Sequence, residues 1–278
     1  MRVNGIEVVG GSVSGYATAV ALPEHDLCFD IGAATPAAVA CSRVAITHGH
    51  LDHLGAVAQH GYLRGMTRVE PPTYIVPPWL VHELHRLFAF WRGVQNGREA
   101  PYRVEVSSIV PDVSLGRSHS LRSFPTDHTL RSQGYTLMEH RRKVREEYRG
   151  LPGPEYKRLR QEGIDFQYDV HIPLFTFTGD TRAAVLDTMP PWALSARVLA
   201  IECTFLGCDQ VDEAEAVRKG HVHIDQLAAR ADRLADAGAV LLTHFSRRYG
   251  NADVEAAIAR LPQPLRSKTT YLPAPEEP

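Results

Sequence analysis

The sequence predicts a layered α/β (α+β) sandwich, and three observations carry that prediction. Its 278 residues, 44% of them apolar, suffice for one large domain and leave little for a second. The first stretch opens with short, β-branched apolar runs separated by turn residues, as consecutive antiparallel strands do. Beyond residue 44, apolar runs of strand length alternate with helix-period segments, so strand-helix units follow.

The runs at 6–9, 17–21 and 27–31 are divided by Gly, Ser and Pro-Glu-His-Asp turns and form a β-meander. A strand at 44–46 leads into a helix over about 52–64; a strand at 74–76 and a helix over about 79–91 come next. Further strands are predicted at 134–138, 174–178, 198–201 and 240–242, each but the first followed by helix-like sequence. Between 139 and 165, Arg, Lys and Glu crowd around a Leu-Pro-Gly-Pro break, which marks a charged surface excursion, about 140–165, from a single domain spanning 1–278. Residues 273–278 are expected to fray.

The net charge of -2 gives no global attraction to nucleic acid, so any RNA contact has to come from a local patch. No segment approaches the ~20 apolar residues of a membrane span, and the first residues lack a basic region followed by an apolar run. The expectation is an unexported, cytoplasmic protein with no membrane partner. Cys28, Cys41, Cys203 and Cys208 form no CxxC pair and read as reduced thiols that pack as small hydrophobes.

Chemistry concentrates in Val44-Ala45-Ile46-Thr47-His48-Gly49-His50-Leu51-Asp52-His53. On a continuous helix His50 points away from His48 and Asp52, and on a continuous strand His53 faces away from the other three. Only a loop that turns into a helix converges all four. Imidazole and carboxylate suit Zn²⁺ and similar ions, and four ligands within six residues do not easily serve one ion. Two ions are therefore expected, with His48 and His50 on the first and Asp52 and His53 on the second; the competing reading is a set of helix-capping and surface residues. Two ions need more ligands, and strand ends downstream offer them: His128 in Phe-Pro-Thr-Asp-His, Asp180 in Phe-Thr-Phe-Thr-Gly-Asp, and His244 in Val-Leu-Leu-Thr-His-Phe-Ser. Singly these are a loop histidine, a helix cap and a strand-end turn residue. Together they complete two sets: His48, His50, His128 and Asp180, and Asp52, His53, His244 and a bridging Asp180.

Further blocks are Phe29-Asp30-Ile31-Gly32, Ser132-Gln133-Gly134-Tyr135, Glu202-Cys203-Thr204-Phe205, Gly220-His221-Val222-His223 and His244-Phe245-Ser246-Arg247-Arg248-Tyr249. With these motifs in this order the chain resembles the metallo-β-lactamase superfamily and, within it, the short-form tRNase Z enzymes of the plant type, over most of its length. The resemblance implies an αββα four-layer sandwich, a homodimer, and maturation of precursor tRNA at its 3′ end by hydroxide held between two divalent ions, zinc first and manganese second. The alternative is a phosphodiesterase or ester hydrolase of the same fold acting on a small molecule. No Gly-x-Ser-x-Gly nucleophile motif competes with metal chemistry.

The resemblance assigns catalysis to Asp52, His221 and Glu202, with His221 protonating the leaving ribose oxygen and Glu202 orienting it. His223 is the second candidate acid, or a residue at a helix start. Asp30 would support a ligand histidine, or simply turn the chain. Arg248, with Arg247, would clamp a substrate phosphate. The basic run at 140–145 would touch the tRNA backbone, or form a solvated helix face. The chain departs from the family pattern in three places. Val8-Val9-Gly10-Gly11-Ser12-Val13-Ser14-Gly15 stands where many members carry a Gly-Thr-Gly type strand and an Arg-Asn loop, the excursion near 149–165 is short for a tRNA-gripping arm, and Ile201-Glu202-Cys203-Thr204 lacks the histidine of the usual His-Glu-Ala-Thr block.

Overall fold

Side-chain alternation decides how this chain layers. In Ala17–Leu22, Val20 and Leu22 pack to one side with Phe29, Ala45 and Ile75, while Ala19 and Ala21 pack to the other with Cys28, Val44, Ile46 and Tyr74. The strand Val198–Glu202 divides likewise: Val198 and Ala200 join the first set, and Leu199 and Ile201 belong to a third cluster with Leu242, Leu227 and Val254. Two sheets therefore share one central core and each has a second, outer apolar face.

The structure is a computed structural model describing residues 1–67, 69–97 and 101–273, so most of the tail 273–278 lies outside the described residues. Among the described residues the two sheets have seven strands each. The first runs Phe245–Ser246, Val9–Ser14, Ala17–Leu22, Leu27–Phe29, Arg43–Ala45, Thr73–Val76, Arg103–Val106. The second runs Thr269–Tyr271, Val240–Thr243, Val198–Glu202, Gln167–Phe177, Arg131–Val144, His119–Asp127, Val113–Ser114. Phe29 stacks on Phe175 and Phe177 between the sheets, with ring centroids 5.6 and 5.2 Å apart. Helices cover both outer faces: Val57–Met66 and Val81–Val94 on the first sheet, Ile224–Ala228 and Asn251–Ala259 on the second. This is the αββα four-layer sandwich. No helix among the described residues is long and apolar enough to cross a membrane.

The β-meander forms from Val9–Ser14, Ala17–Leu22 and Leu27–Phe29, whereas Ile6–Glu7, expected in its first strand, pairs instead with Arg2–Val3 in a separate two-stranded sheet, and several other boundaries differ. The helix expected over 52–64 is two, Leu51–Leu54 and Val57–Met66. Between them the His53 carbonyl accepts from Ile31 N and Ala56 N donates to the Ile31 carbonyl, which diverts the bonds a continuous helix would use. The strands expected at 134–138 and 174–178 are Arg131–Val144 and Gln167–Phe177, which pair from Tyr135 with Phe177 out to Val144 with Gln167. The charged excursion is thus a two-stranded arm with the helix Gly153–Gln161 at its tip. Its basic run lies on a strand, not a helix, because cross-strand pairing outweighs local helix propensity. Arg141, Arg142 and Arg145 pair with Glu139, Asp169 and Asp165 beside them.

Candidate metal centre

Strand ends gather at one edge of the sandwich, and the motif residues sit there. His48 follows Arg43–Ala45, Asp180 follows Gln167–Phe177, Glu202 ends Val198–Glu202 and His128 lies in the turn after His119–Asp127. His244 is the single residue between Val240–Thr243 of one sheet and Phe245–Ser246 of the other, and it turns the chain with a left-handed φ of 62°. Asp30, at the end of Leu27–Phe29, is also left-handed, with φ 58°. Such conformations persist where surrounding contacts over-determine them.

The ligand atoms of His48, His50, His128 and Asp180 lie within 4.8 Å of one another, and those of Asp52, His53, Asp180 and His244 do the same. His48 Nε2 and His128 Nε2 approach His50 Nδ1 at 3.0 and 3.2 Å, and His53 Nε2 approaches His244 Nε2 at 3.2 Å. Asp180 spans the sets: Oδ2 is 3.7 Å from His48 Nε2, and Oδ1 is 3.1 and 3.3 Å from the Nε2 atoms of His53 and His244.

Outer hydrogen bonds explain why these nitrogens crowd. His53 Nδ1 donates to Asp30 Oδ2 at 2.7 Å, and His128 Nδ1 donates to the Gly220 carbonyl at 2.8 Å. The Thr47 hydroxyl donates to Asp30 Oδ2 and accepts from His48 Nδ1 at 2.9 Å; the Thr204 hydroxyl donates to Glu202 Oε2 and accepts from His244 Nδ1 at 3.1 Å. Each of these four rings is thus held through Nδ1 by an outer partner and turns its Nε2 inward. Lone pairs this close repel unless a cation lies among them. Asp180 Oδ1 is buried without a hydrogen-bond partner, although two imidazoles flank it. Ligand atoms about 2.0–2.1 Å from a tetrahedral ion stand about 3.3 Å apart, so both the spacing and the nitrogen-oxygen donor set fit divalent first-row cations.

The electrostatics divide the ligands. Burial opposes charge on Asp180, but His244, His53 and His48 hold its carboxyl well below the usual range. Burial lowers the pKa of His48, His50 and His128, which favours the neutral ligand form, whereas for His53 the charges and hydrogen bonds of Asp180 and Asp30 outweigh burial and hold its pKa well above the ordinary value. None of the four motif residues caps the helix Leu51–Leu54 through its side chain: His50 occupies the cap position without a capping bond, and Asp52 instead accepts from Gly15 N at 2.7 Å.

His221 stands beside this centre, its ring centroid 5.1 Å from that of His128 and 5.4 Å from that of His244. Its Nδ1 donates to Glu202 Oε1 at 2.9 Å, and Glu202, nearly fully buried, also accepts from Thr181 N, Val222 N and Thr204 Oγ1. Burial lowers the His221 pKa, but the charge and hydrogen bond of Glu202 lift it to about 9. His223 faces elsewhere and caps Ile224–Ala228, its Nδ1 accepting from Asp225 N while Gln226 accepts from His223 N. Arg248 donates to Asp209 at 2.8 Å, and Arg247 lies over the Tyr16 ring.

No protein-family model matches the chain. It is 32% identical over 273 residues to a tRNase Z of Arabidopsis thaliana, tRNase Z TRZ1, covering 98% of this chain and 96% of that one. The chain belongs to the tRNase Z family. Among solved structures, the short form of human tRNase Z superposes with TM-score 0.62 at 16% identity and covers 95% of each chain. The metallo-β-lactamase fold protein YhfI of Bacillus subtilis superposes with TM-score 0.63 at 14% identity, over 95% of this chain and 94% of that one. At these identities the two structures speak to the fold alone. Thr47 and Thr204 are the site residues that sequence reasoning missed. Each sits next to a named residue, in Thr47-His48 and Glu202-Cys203-Thr204, and that adjacency was their only signal.

Proposed function

We propose that this chain is a tRNA 3′-processing endoribonuclease working with two divalent cations, zinc or manganese, one held by His48, His50, His128 and Asp180 and the other by Asp52, His53, His244 and the shared Asp180. The inward convergence of imidazole nitrogens on a buried carboxylate carries this reading. Such ions, when bound, lower the pKa of water and offset charge on phosphate oxygens. The chain's own groups do the rest. Asp30 and Thr47 hold His53 and His48 in the liganding tautomer, and Glu202 with Thr204 does so for His244. His221 is the proton donor to the leaving ribose oxygen, since Glu202 fixes its Nδ1 and its Nε2 makes no other hydrogen bond among the described residues.

A second copy of the chain as partner is supported by exposed apolar side chains on Val57–Met66 and Val81–Val94, among them Tyr62, Met66, Phe90 and Trp91. Light scattering of the wild type and of Phe90→Glu tests that assembly, the variant being expected as a monomer. A cytoplasmic setting suits four free cysteines, three of them buried.

The deciding experiment incubates metal-loaded protein with a precursor tRNA bearing a 3′ extension and, separately, with an activated small diester. Endonucleolytic cleavage at the 3′ end of the tRNA body is expected. Hydrolysis of the diester with the precursor left uncut would instead assign a small-molecule phosphodiesterase.

A further inference from the structure

The rim of the metal centre carries an exposed aromatic ring that the chemistry above leaves unused. Tyr16 occupies the tip of the hairpin joining Val9–Ser14 to Ala17–Leu22 and is 60% exposed. A large aromatic left open to water at a hairpin tip contributes little to the core. Its position is fixed against the centre: Gly15 N, one residue before it, donates to Asp52 Oδ2 at 2.7 Å, and that same oxygen is 3.4 Å from His244 Nε2. Phe245–Ser246 runs parallel to this hairpin, pairing Ser246 with Ser14, so the chain after His244 arrives beside the tip. There the Arg247 guanidinium lies 4.8 Å from the Tyr16 ring centroid, in cation-π contact. Asp52, to which the tip is bonded, is half-buried, whereas His48, His53 and His244 are buried.

Resting on the RNA-cleaving reading above, we propose that Tyr16, backed by Arg247, is a stacking platform for the base of a nucleotide flanking the scissile phosphate. An aromatic ring offers any base a face, and a guanidinium stacked on that ring adds positive charge beside the adjoining phosphates. The tip therefore supplies affinity and positioning without base identity. Tyr16 touches substrate and acts on neither the attacking water nor the leaving group, and its contribution is to KM more than to kcat.

The test measures binding of a fluorescent precursor tRNA by anisotropy in EDTA, and cleavage by the metal-loaded enzyme, for wild type, Tyr16→Ala and Tyr16→Phe. Each RNA is made intact and with single abasic nucleotides at the three positions on either side of the cleavage site. Tyr16→Ala is expected to weaken binding and raise KM about tenfold on intact RNA, with Tyr16→Phe close to wild type. At one abasic position the wild type should fall to the level of the alanine variant, and the two losses should not add. Equal affinity of wild type and Tyr16→Ala on intact RNA, or losses that add at every abasic position, would overturn the platform while leaving the endonuclease reading intact. A wild type that leaves the precursor uncut would overturn both.

Discussion

His221 and Asp180 make contrasting demands on the centre. His221 belongs to neither ligand set of four, and its Nδ1 is already committed to Glu202. For His221→Ala we expect both ions retained by elemental analysis and kcat reduced about a hundred- to ten-thousand-fold, the range of a lost general acid. Near-normal turnover would move that role elsewhere, although His223, spent as a helix cap, is poorly placed to take it. Asp180 lies in both sets, so Asp180→Ala should lose metal occupancy in dialysed protein, and full retention of two ions would refute the bridge. At this scale the sequence was most legible where residue type and strand-end position coincide, as for His48, Asp180 and His244. It was least legible for Thr47 and Thr204, since a threonine beside a histidine is ordinary until the fold sets a carboxylate behind it. Asp30 was open between support and turn, and it does both, accepting from His53 while turning the chain at a positive φ.

At the level of elements, the first ligand motif depends on how closely its short helix approaches the meander. A Cβ on Gly32 would sit 1.9 Å from the Asp52 carbonyl oxygen and 2.7 Å from Thr18 N, so only glycine lets the strand end pass there. Gly32→Ala should destabilise the protein by about 2–3 kcal/mol in urea unfolding and weaken metal binding, because relief of the clash displaces Asp52 and His53. Wild-type affinity in the variant would show that the motif does not depend on this contact. Elements with strong apolar alternation, such as Ala17–Leu22 and Val198–Glu202, were predictable. Those held by pairing rather than by burial were not: Arg103–Val106 is largely exposed, Thr269–Tyr271 half-buried, and the outer arm strands polar. Arg103–Val106 and Thr269–Tyr271 carry no apolar alternation because neither of their faces is buried in the core.

Across the whole molecule, stability has a titrating component remote from the centre. His60 is fully buried, with Nε2 donating to the Ala38 carbonyl and Nδ1 beside the Tyr74 hydroxyl, and burial depresses its pKa to about 4. Unfolded, it titrates near 6.5, so between these values the unfolded chain binds more protons. Its contribution is fully present above pH 6.5 and is lost as pH falls through 4, amounting to about 3 kcal/mol at most. Urea unfolding from pH 7 to 4 should show wild type losing stability faster than His60→Gln, and parallel curves would exclude this residue as the source. The layered architecture was legible as a class, but the edge on which both sheets converge was not, since it depends on a chain crossing between them. That crossing is His244, one residue long and itself a ligand. A ribosome-bound or half-folded chain that has not yet laid its last strands across the gap lacks the fourth donor of the second set. The step that closes the fold is therefore also the step that completes the second donor set.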